Sequence, residues 1–182
     1  MRTRSRGSST RGERRFHAAG VVPVVPAVSA TIPPFQELLD RHRVTVYRFC
    51  RAAVGPAEAD DVFQETFLAA LRAYPRLRDG EHLDRWLLRI ASRKAIDHHR
   101  ARARRAIPSE DLPERTGNSP TERDDELWRA VAKLPPRQRV AVVHRHVLDR
   151  PYAEIAELMG TSEEAVRANV YQGMRKLREM IA

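Results

Sequence analysis

The 182-residue chain has one cysteine, Cys50, so no internal disulfide can form. Cys50 lies on an apolar helical stripe and reads as a core residue rather than a redox sensor. Aromatic residues make up only 6% of the chain, which leaves most of any core to aliphatic side chains. No apolar run approaches the roughly 18 residues that a membrane helix needs. There is no Gly-rich phosphate loop and no plausible pairing of nucleophile with base, so an enzyme is not expected. His98 and His99 are adjacent and His144 and His146 are two apart, which splits each pair between helix faces. With no Cys ligands to support them, neither a metal nor a cofactor is expected. Negative charge is also scarce: 24 acids stand against 33 Lys and Arg, a formal net charge of +9. That excess favours a polyanionic partner, nucleic acid before an anionic membrane surface. The dominance of Arg over Lys is a matter of GC-rich coding and is not a binding signal.

The most informative stretch runs from Asp149 to Arg178. Ile155, Ala156 and Met159 mark the apolar stripe of one helix, and Gly160 can take the left-handed backbone that ends it. Thr161 to Glu164 fits a capping box, with Thr161 as the cap. The next helix turns Val166 and Val170 inward and offers Arg167, Asn169, Tyr171, Gln172, Arg175 and Lys176 outward. This is the pattern of a DNA-binding helix-turn-helix, whose second helix enters the major groove. An ordinary helical hairpin with a solvated basic face shares that pattern.

Residues 1–34 open with six Arg and one Glu in the first 15 positions, then run through GVVPVVPAVSATIPP. The stretch loosely mimics a secretory signal, but Pro23 and Pro26 interrupt its apolar part. The expectation is a disordered basic extension with weak, salt-sensitive DNA affinity, or the product of a start codon placed too far upstream. From Phe35, a stripe recurs at three- and four-residue steps through Leu38, Leu39, His42, Val46, Phe49 and Ala53, which predicts an amphipathic helix. Gly55-Pro56 breaks it. A second helix follows, acidic in its first turns, with Val62, Phe63, Phe67 and Leu71 expected inside and Asp61, Gln64 and Glu65 outside. A third is predicted from His82 to Arg105, with Trp86, Leu87 and Ile90 facing in. From Arg85 to Arg105 eight basic residues face a single acid, Asp97, a footprint suited to a phosphate backbone.

Residues 106–123 are polar, rich in Pro, Gly and Ser, and aperiodic, as a flexible linker would be. Ser119-Pro120-Thr121-Glu122 then predicts a helix start, followed by an apolar face of Leu127, Trp128, Val131 and Leu134. After the break at Pro135-Pro136, Val140, Val143, Val147 and Leu148 lead into the helix-turn-helix. The expected architecture is all-α: two small helical domains, 35–105 and 124–182, on either side of the 106–123 linker.

Three ordered stretches carry a resemblance. Asp61-Val62-Phe63-Gln64-Glu65-Thr66-Phe67, Trp86-Leu87-Leu88-Arg89-Ile90-Ala91, and Leu134-Pro135-Pro136-Arg137-Gln138-Arg139 with Tyr152-Ala153-Glu154-Ile155-Ala156 together resemble the bacterial RNA polymerase sigma factors of the extracytoplasmic-function class. The resemblance implies a region 2 domain, which docks on core polymerase and melts the −10 element, and a region 4 domain, which reads the −35 element. It assigns Asp61, Gln64 and Glu65 to the clamp helices of the polymerase β′ subunit. It assigns Ala73, Leu77, Ile90 and Arg93 to a pocket for an unstacked base, with Trp86, Arg89, Lys94 and Arg100 along the same −10 surface. The family often has Asn where Arg93 stands. Arg145, Tyr152, Arg167, Ala168, Asn169, Tyr171, Gln172 and Arg175 fall to the −35 element. This helix is poorer in Arg than the common family pattern, and its Asn and Gln suit adenine better than guanine. Implied partners are core polymerase (β′ clamp helices and β flap), promoter DNA and an anti-sigma factor, in the cytoplasm, with no membrane contact except through that factor. The rival reading is a stand-alone helix-turn-helix regulator, which leaves the acidic face around Asp61 and the Trp86 segment without a role.

Overall fold

The computed structural model describes residues 31–105 and 122–181. Residues 1–30 of the expected N-terminal extension, nearly all of the expected linker and the Ser119 cap lie outside the described residues. Among the described residues the regular structure is seven α-helices and one 3₁₀ turn: α1 Phe35–Val54, α2 Pro56–Ala73, the turn Tyr74–Arg76, α3 Leu83–Arg105, α4 Glu122–Ala132, α5 Pro136–His146, α6 Tyr152–Met159 and α7 Glu163–Ile181. The described residues contain no strand.

α1 begins directly after Pro34, where a missing N–H costs nothing at a helix start. α1, α2 and α3 form a bundle around Leu38, Val46, Phe49, Val62, Leu87, Leu88 and Ala91, all nearly or fully buried. Two hydroxyls inside it, on Thr66 and Ser92, donate to the carbonyls four residues back, Val62 and Leu88, each at 2.7 Å. Neither is therefore left unsatisfied in an apolar setting. Cys50 is buried here as expected, and burial pushes its thiol up to about 12. This core does not stop at α3. Val140 and Val143 of α5 and Leu158 of α6 belong to the same apolar cluster, so the C-terminal helices complete the N-terminal bundle. The C-terminal half adds two smaller clusters, one around Val131, Leu134, Val142 and Leu177, the other around Ala141, Ile155, Val166 and Val170.

Gly160 ends α6 at φ 60°, ψ 50°, the left-handed cap expected of it. The start of α7 differs from expectation by one residue. α7 begins at Glu163, and the Ser162 hydroxyl, not that of Thr161, accepts the Ala165 backbone N–H at 3.2 Å. Glu164 still closes the turn, its carboxyl held below the usual range by its own backbone N–H and by the Ser162 hydroxyl. The pattern S/T-x-x was present in two registers, and the one that lets Gly160 and Thr161 complete the turn prevails. Ser162→Ala should therefore cost about 1 kcal/mol in thermal or denaturant unfolding, and Thr161→Ala clearly less. The reverse order would restore the Thr161 cap.

Three expected inward residues point elsewhere. Leu71 on α2 is 49% exposed, and Leu127 and Trp128 on α4 are 39% and 41% exposed. Each sits on an apolar stripe wider than the partner helix that covers it. Trp86 and Ile90 are only partly buried, packed on the rim of the α1–α3 core.

Candidate polymerase and nucleic-acid surfaces

Asp61, Gln64 and Glu65 stand exposed on one side of α2. The helical spacing continues that face into Leu68 and Leu71, which are 52% and 49% exposed. The result is a strip with an acidic upper half and an apolar lower half, suited to a basic helix that also brings apolar side chains. Neither leucine was expected there; the signal was the i, i+3 and i, i+4 spacing of Leu68 from Glu65 and Gln64 and the i, i+3 step on to Leu71, masked by reading Leu71 as core.

The expected −10 surface follows α3 and the turn before it. Ala73 closes α2, and Leu77 follows the 3₁₀ turn. Leu77, Trp86 and Ile90 all pack on the edge of the same core, and Trp86 meets Tyr74 at 6.3 Å between ring centroids. Tyr74 is itself anchored through its hydroxyl to the Pro33 carbonyl. Arg93 and Arg100 are exposed. Arg100 lies 3.7 Å from Asp97, a solvent-screened pair of little energetic weight. Lys94 pairs with Glu65 at 3.1 Å, so the acidic strip and the basic helix share an edge. Arg89 is engaged elsewhere: both its Nε and Nη2 donate to the Glu157 carbonyl of α6, at 3.1 and 2.9 Å.

The expected −35 residues gather around Tyr152 at the start of α6. Two guanidiniums lie over its ring, Arg145 at 5.1 Å and Arg167 at 4.4 Å from the centroid. This pairing holds two positive charges at a fixed place on the helix-turn-helix surface. Arg145 is steadied further by the Arg150 carbonyl at 3.0 Å, and Arg167 by Glu163. Ala168, Tyr171, Gln172 and Arg175 are exposed along α7, Tyr171 by 66%. Arg175 has Glu179 at 3.4 Å. Gln172 accepts from the Gln138 amide at 2.9 Å and keeps its own NH₂ free to donate. Asn169 does not share that freedom: it is half-buried, and its amide donates to the Ala165 carbonyl of its own helix at 2.7 Å.

Two residues that hold the halves together escaped the sequence reading. Arg139 is buried, and its guanidinium donates to the carbonyls of Ala53, Ala132 and Leu134. Ala53 and Ala132 lie at the ends of α1 and α4, where the helix dipole is negative, and Leu134 lies in the turn just after α4. Burial, with Arg102 nearby, lowers the Arg139 pKa to about 10, still well above neutrality. His144 is fully buried between α1 and α3. Among the described residues no group of three or more His, Cys, Asp or Glu side chains could hold a metal ion, and no helix is long and apolar enough to cross a membrane.

Comparison with known proteins places these surfaces in a family. The family described as Sigma-70 region 2 matches residues 38–105, and Sigma-70, region 4 matches residues 124–177. The chain is 36% identical over 173 residues to the ECF RNA polymerase sigma factor SigD of Mycobacterium tuberculosis, covering 87% of this chain and 82% of that protein. It is 32% identical to the RNA polymerase sigma factor CarQ of Myxococcus xanthus, over 81% of this chain and 88% of the other. Its fold is similar to that of the sigma factor RpoE in complex with the anti-sigma factor NepR from Bartonella quintana, with a TM-score of 0.66 and 19% identity over 81% of this chain and 96% of that one. It is also similar to CnrH in complex with the cytosolic domain of CnrY, with a TM-score of 0.57 and 23% identity over 81% and 86% of the two chains.

Proposed function

Because the chain belongs to the sigma-70 family, in its extracytoplasmic-function class, and is thus a promoter-specific transcription initiation factor, we propose the following division of labour among its residues. Residues 35–105 dock on core polymerase and open the −10 element, residues 124–182 read the −35 element, and residues 106–123 tether the two. The acidic strip of Asp61, Gln64 and Glu65 meets the β′ clamp helices, with Leu68 and Leu71 adding apolar contact. Ala73, Leu77, Ile90 and Arg93 take the unstacked base of the non-template strand, while Trp86, Arg89, Lys94 and Arg100 hold the strand around it. Arg145, Tyr152, Arg167, Ala168, Tyr171, Gln172 and Arg175 face the −35 groove; Asn169, turned back on its helix, contributes less to base reading. The protein acts in the cytoplasm, without catalysis of its own, and an anti-sigma factor of the kind that accompanies the two structural relatives holds it in check. The observation that carries the docking assignment is the exposure of Asp61, Gln64 and Glu65 together on one face of α2, opposite the buried Val62 and Thr66.

Run-off transcription with purified protein, bacterial core polymerase and promoters from its own genome is the test. Core-dependent, promoter-specific initiation is expected, and Asp61→Arg with Glu65→Arg should reduce it at least tenfold, because like charges replace complementary ones across the interface. The same double variant should keep its unfolding midpoint, since both side chains are exposed. Full activity of the variant would remove the α2 strip from the docking surface. DNA binding without association with core would return the chain's residues to a stand-alone regulator's roles.

A further inference from the structure

α5 and α6 lie against α3 and the end of α1, and polar groups stitch the contact. Arg89 donates to the Glu157 carbonyl, and Arg150 bridges Asp84 at 3.1 Å and Glu154 at 2.8 Å. Arg85 stands 3.8 Å from Glu154 and 3.9 Å from Glu157. The −10 and −35 elements are about 25 base pairs apart, roughly 85 Å along B-form DNA. Two helices in hydrogen-bond contact cannot serve both at once, so this contact has to open before the promoter is spanned.

His144 sits at its centre. The ring stacks on Phe49 of α1, centroids 4.6 Å apart and planes 23° from parallel, and Nε2 lies 2.7 Å from Ser92 Oγ of α3. The Ser92 hydroxyl already donates its one proton to the Leu88 carbonyl, so it accepts from His144 Nε2–H. The neutral ring is then bare at Nδ1, and Nδ1 is buried without a hydrogen-bond partner. A second proton has only that nitrogen to go to. It would create a buried cation whose new donor meets no acceptor, a costly state.

The surrounding charges do not relieve it. α3 presents Ser92 to the ring and carries Asp84 and Arg85 about two turns away; α1 presents Phe49, with Arg48 beside it reaching the Val147 carbonyl and His42 within Coulombic reach of Asp84. The segment after α5 brings Arg150, a further positive charge, whose carboxylate partners Asp84 and Glu154 are engaged with it.

We propose that His144 makes this contact an acid-sensitive latch: while the ring is neutral, α5 and α6 hold the Arg85 and Arg89 face of α3 closed, and protonation at Nδ1 opens the contact and frees that face for a nucleic-acid strand. The opening stands by itself; the gain in strand binding rests on the −10 reading above. Burial and Arg150 push the ring's pKa down to about 3 in the closed form, against 6.5 for a free imidazole. The closed form thus binds fewer protons than the open one. Its stability is complete above pH 6.5 and is lost as pH falls below that value, by about tenfold in the closing constant per pH unit down toward 3. His99, also lowered by burial, hydrogen-bonds to the Ala53 carbonyl beside Arg139 and acts in the same direction, so the control must be a variant of His144 itself.

The experiment is energy transfer within the full chain between dyes on Asp40→Cys and Arg178→Cys, both exposed and in opposite halves, with the buried, protonated Cys50 left in place. High transfer is expected at pH 7.5, with a fall of the closed-to-open ratio by about tenfold at pH 5.5 while helicity by circular dichroism is unchanged. His144→Leu should keep high transfer at pH 7.5 and lose most of the fall at pH 5.5, retaining only the smaller part that His99 contributes. Should that variant fail to fold, Asp84→Arg, which sets a cation against Arg150, should lower transfer already at pH 7.5 and raise affinity for a fluorescent single-stranded oligonucleotide several-fold. Transfer that does not change with pH in the wild type, that changes equally in His144→Leu, or that falls only together with helicity would overturn the latch. Opening in Asp84→Arg without a gain in strand binding would support the latch and count against the −10 reading.

Discussion

Arg139→Leu is expected to lower stability by about 3 kcal/mol, a drop in unfolding midpoint of roughly 6 to 12 °C for a chain of this length. The guanidinium supplies hydrogen bonds to three carbonyls, those of Ala53 and Ala132 at the ends of α1 and α4 and that of Leu134 in the turn after α4. Leucine fills much of the space but leaves those acceptors without a donor in a buried setting, and each orphaned group costs about 1 to 3 kcal/mol, partly offset by the apolar side chain and by local relaxation. Arg139→Lys should fall between the two, because an ammonium retains the charge but lacks the planar fork that reaches carbonyls on two different helices. Denaturant unfolding of the three proteins at neutral pH checks this. A leucine variant within about 0.5 kcal/mol of the wild type, the range of ordinary surface changes, would show that water replaces the guanidinium at no cost.

Gly173→Val should destabilise the C-terminal half by about 3 kcal/mol or more and weaken −35 duplex binding with it. Gly173 sits where α7 crosses α5. A Cβ added there would stand 2.7 Å from Val142 Cγ2 and 3.6 Å from both the Cβ and the carbonyl oxygen of Gln138. Val142 is a buried β-branched side chain with little room to turn aside. Alanine gains about 1 kcal/mol of helix propensity at this position, against an overpacking cost of about 1 to 3 kcal/mol, so Gly173→Ala should be mildly destabilising. Valine adds two more methyl groups and gives up most of that propensity gain. It forces α5 and α7 apart, with loss of the Gln138–Gln172 hydrogen bond that orients the exposed face of α7. Thermal unfolding and hydrogen exchange of α5 and α7 should report the change together. A valine variant as stable as the alanine variant would mean that the crossing opens without resistance.

Much of the fold was legible in the chain itself. The three- and four-residue spacing of Leu38, Val46, Phe49 and Ala53, the break at Gly55-Pro56 and the left-handed turn at Gly160 are local features, and local rules read them. The outward position of Asp61, Gln64 and Glu65, and of Arg167, Tyr171 and Gln172, follows from the same periodicity once Val62 and Val166 are placed inside. The readings that shifted are those in which local rules allow two answers. Thr161 and Ser162 are both acceptable caps, and the position of the preceding Gly160 turn selects Ser162. Leu71 and Trp128 lie on apolar stripes, but a stripe does not state how wide a neighbour covers it.

The sequence by itself determined the helices, their breaks, the family and the basic surface of α3, because each depends on residues near one another along the chain or on an ordered set of short motifs. Only the tertiary structure decided that α5 and α6 close over α3, that Arg139 ends inside the protein on helix carbonyls, and that His144 is a buried neutral ring lacking a partner at Nδ1. His144 and Arg139 are both polar residues on a helix with an apolar stripe, and by periodicity either could face water. What buries them is the arrival of α1 and α3 from some 40 to 95 positions away in the chain, and burial, not residue type, sets which charge state each can hold.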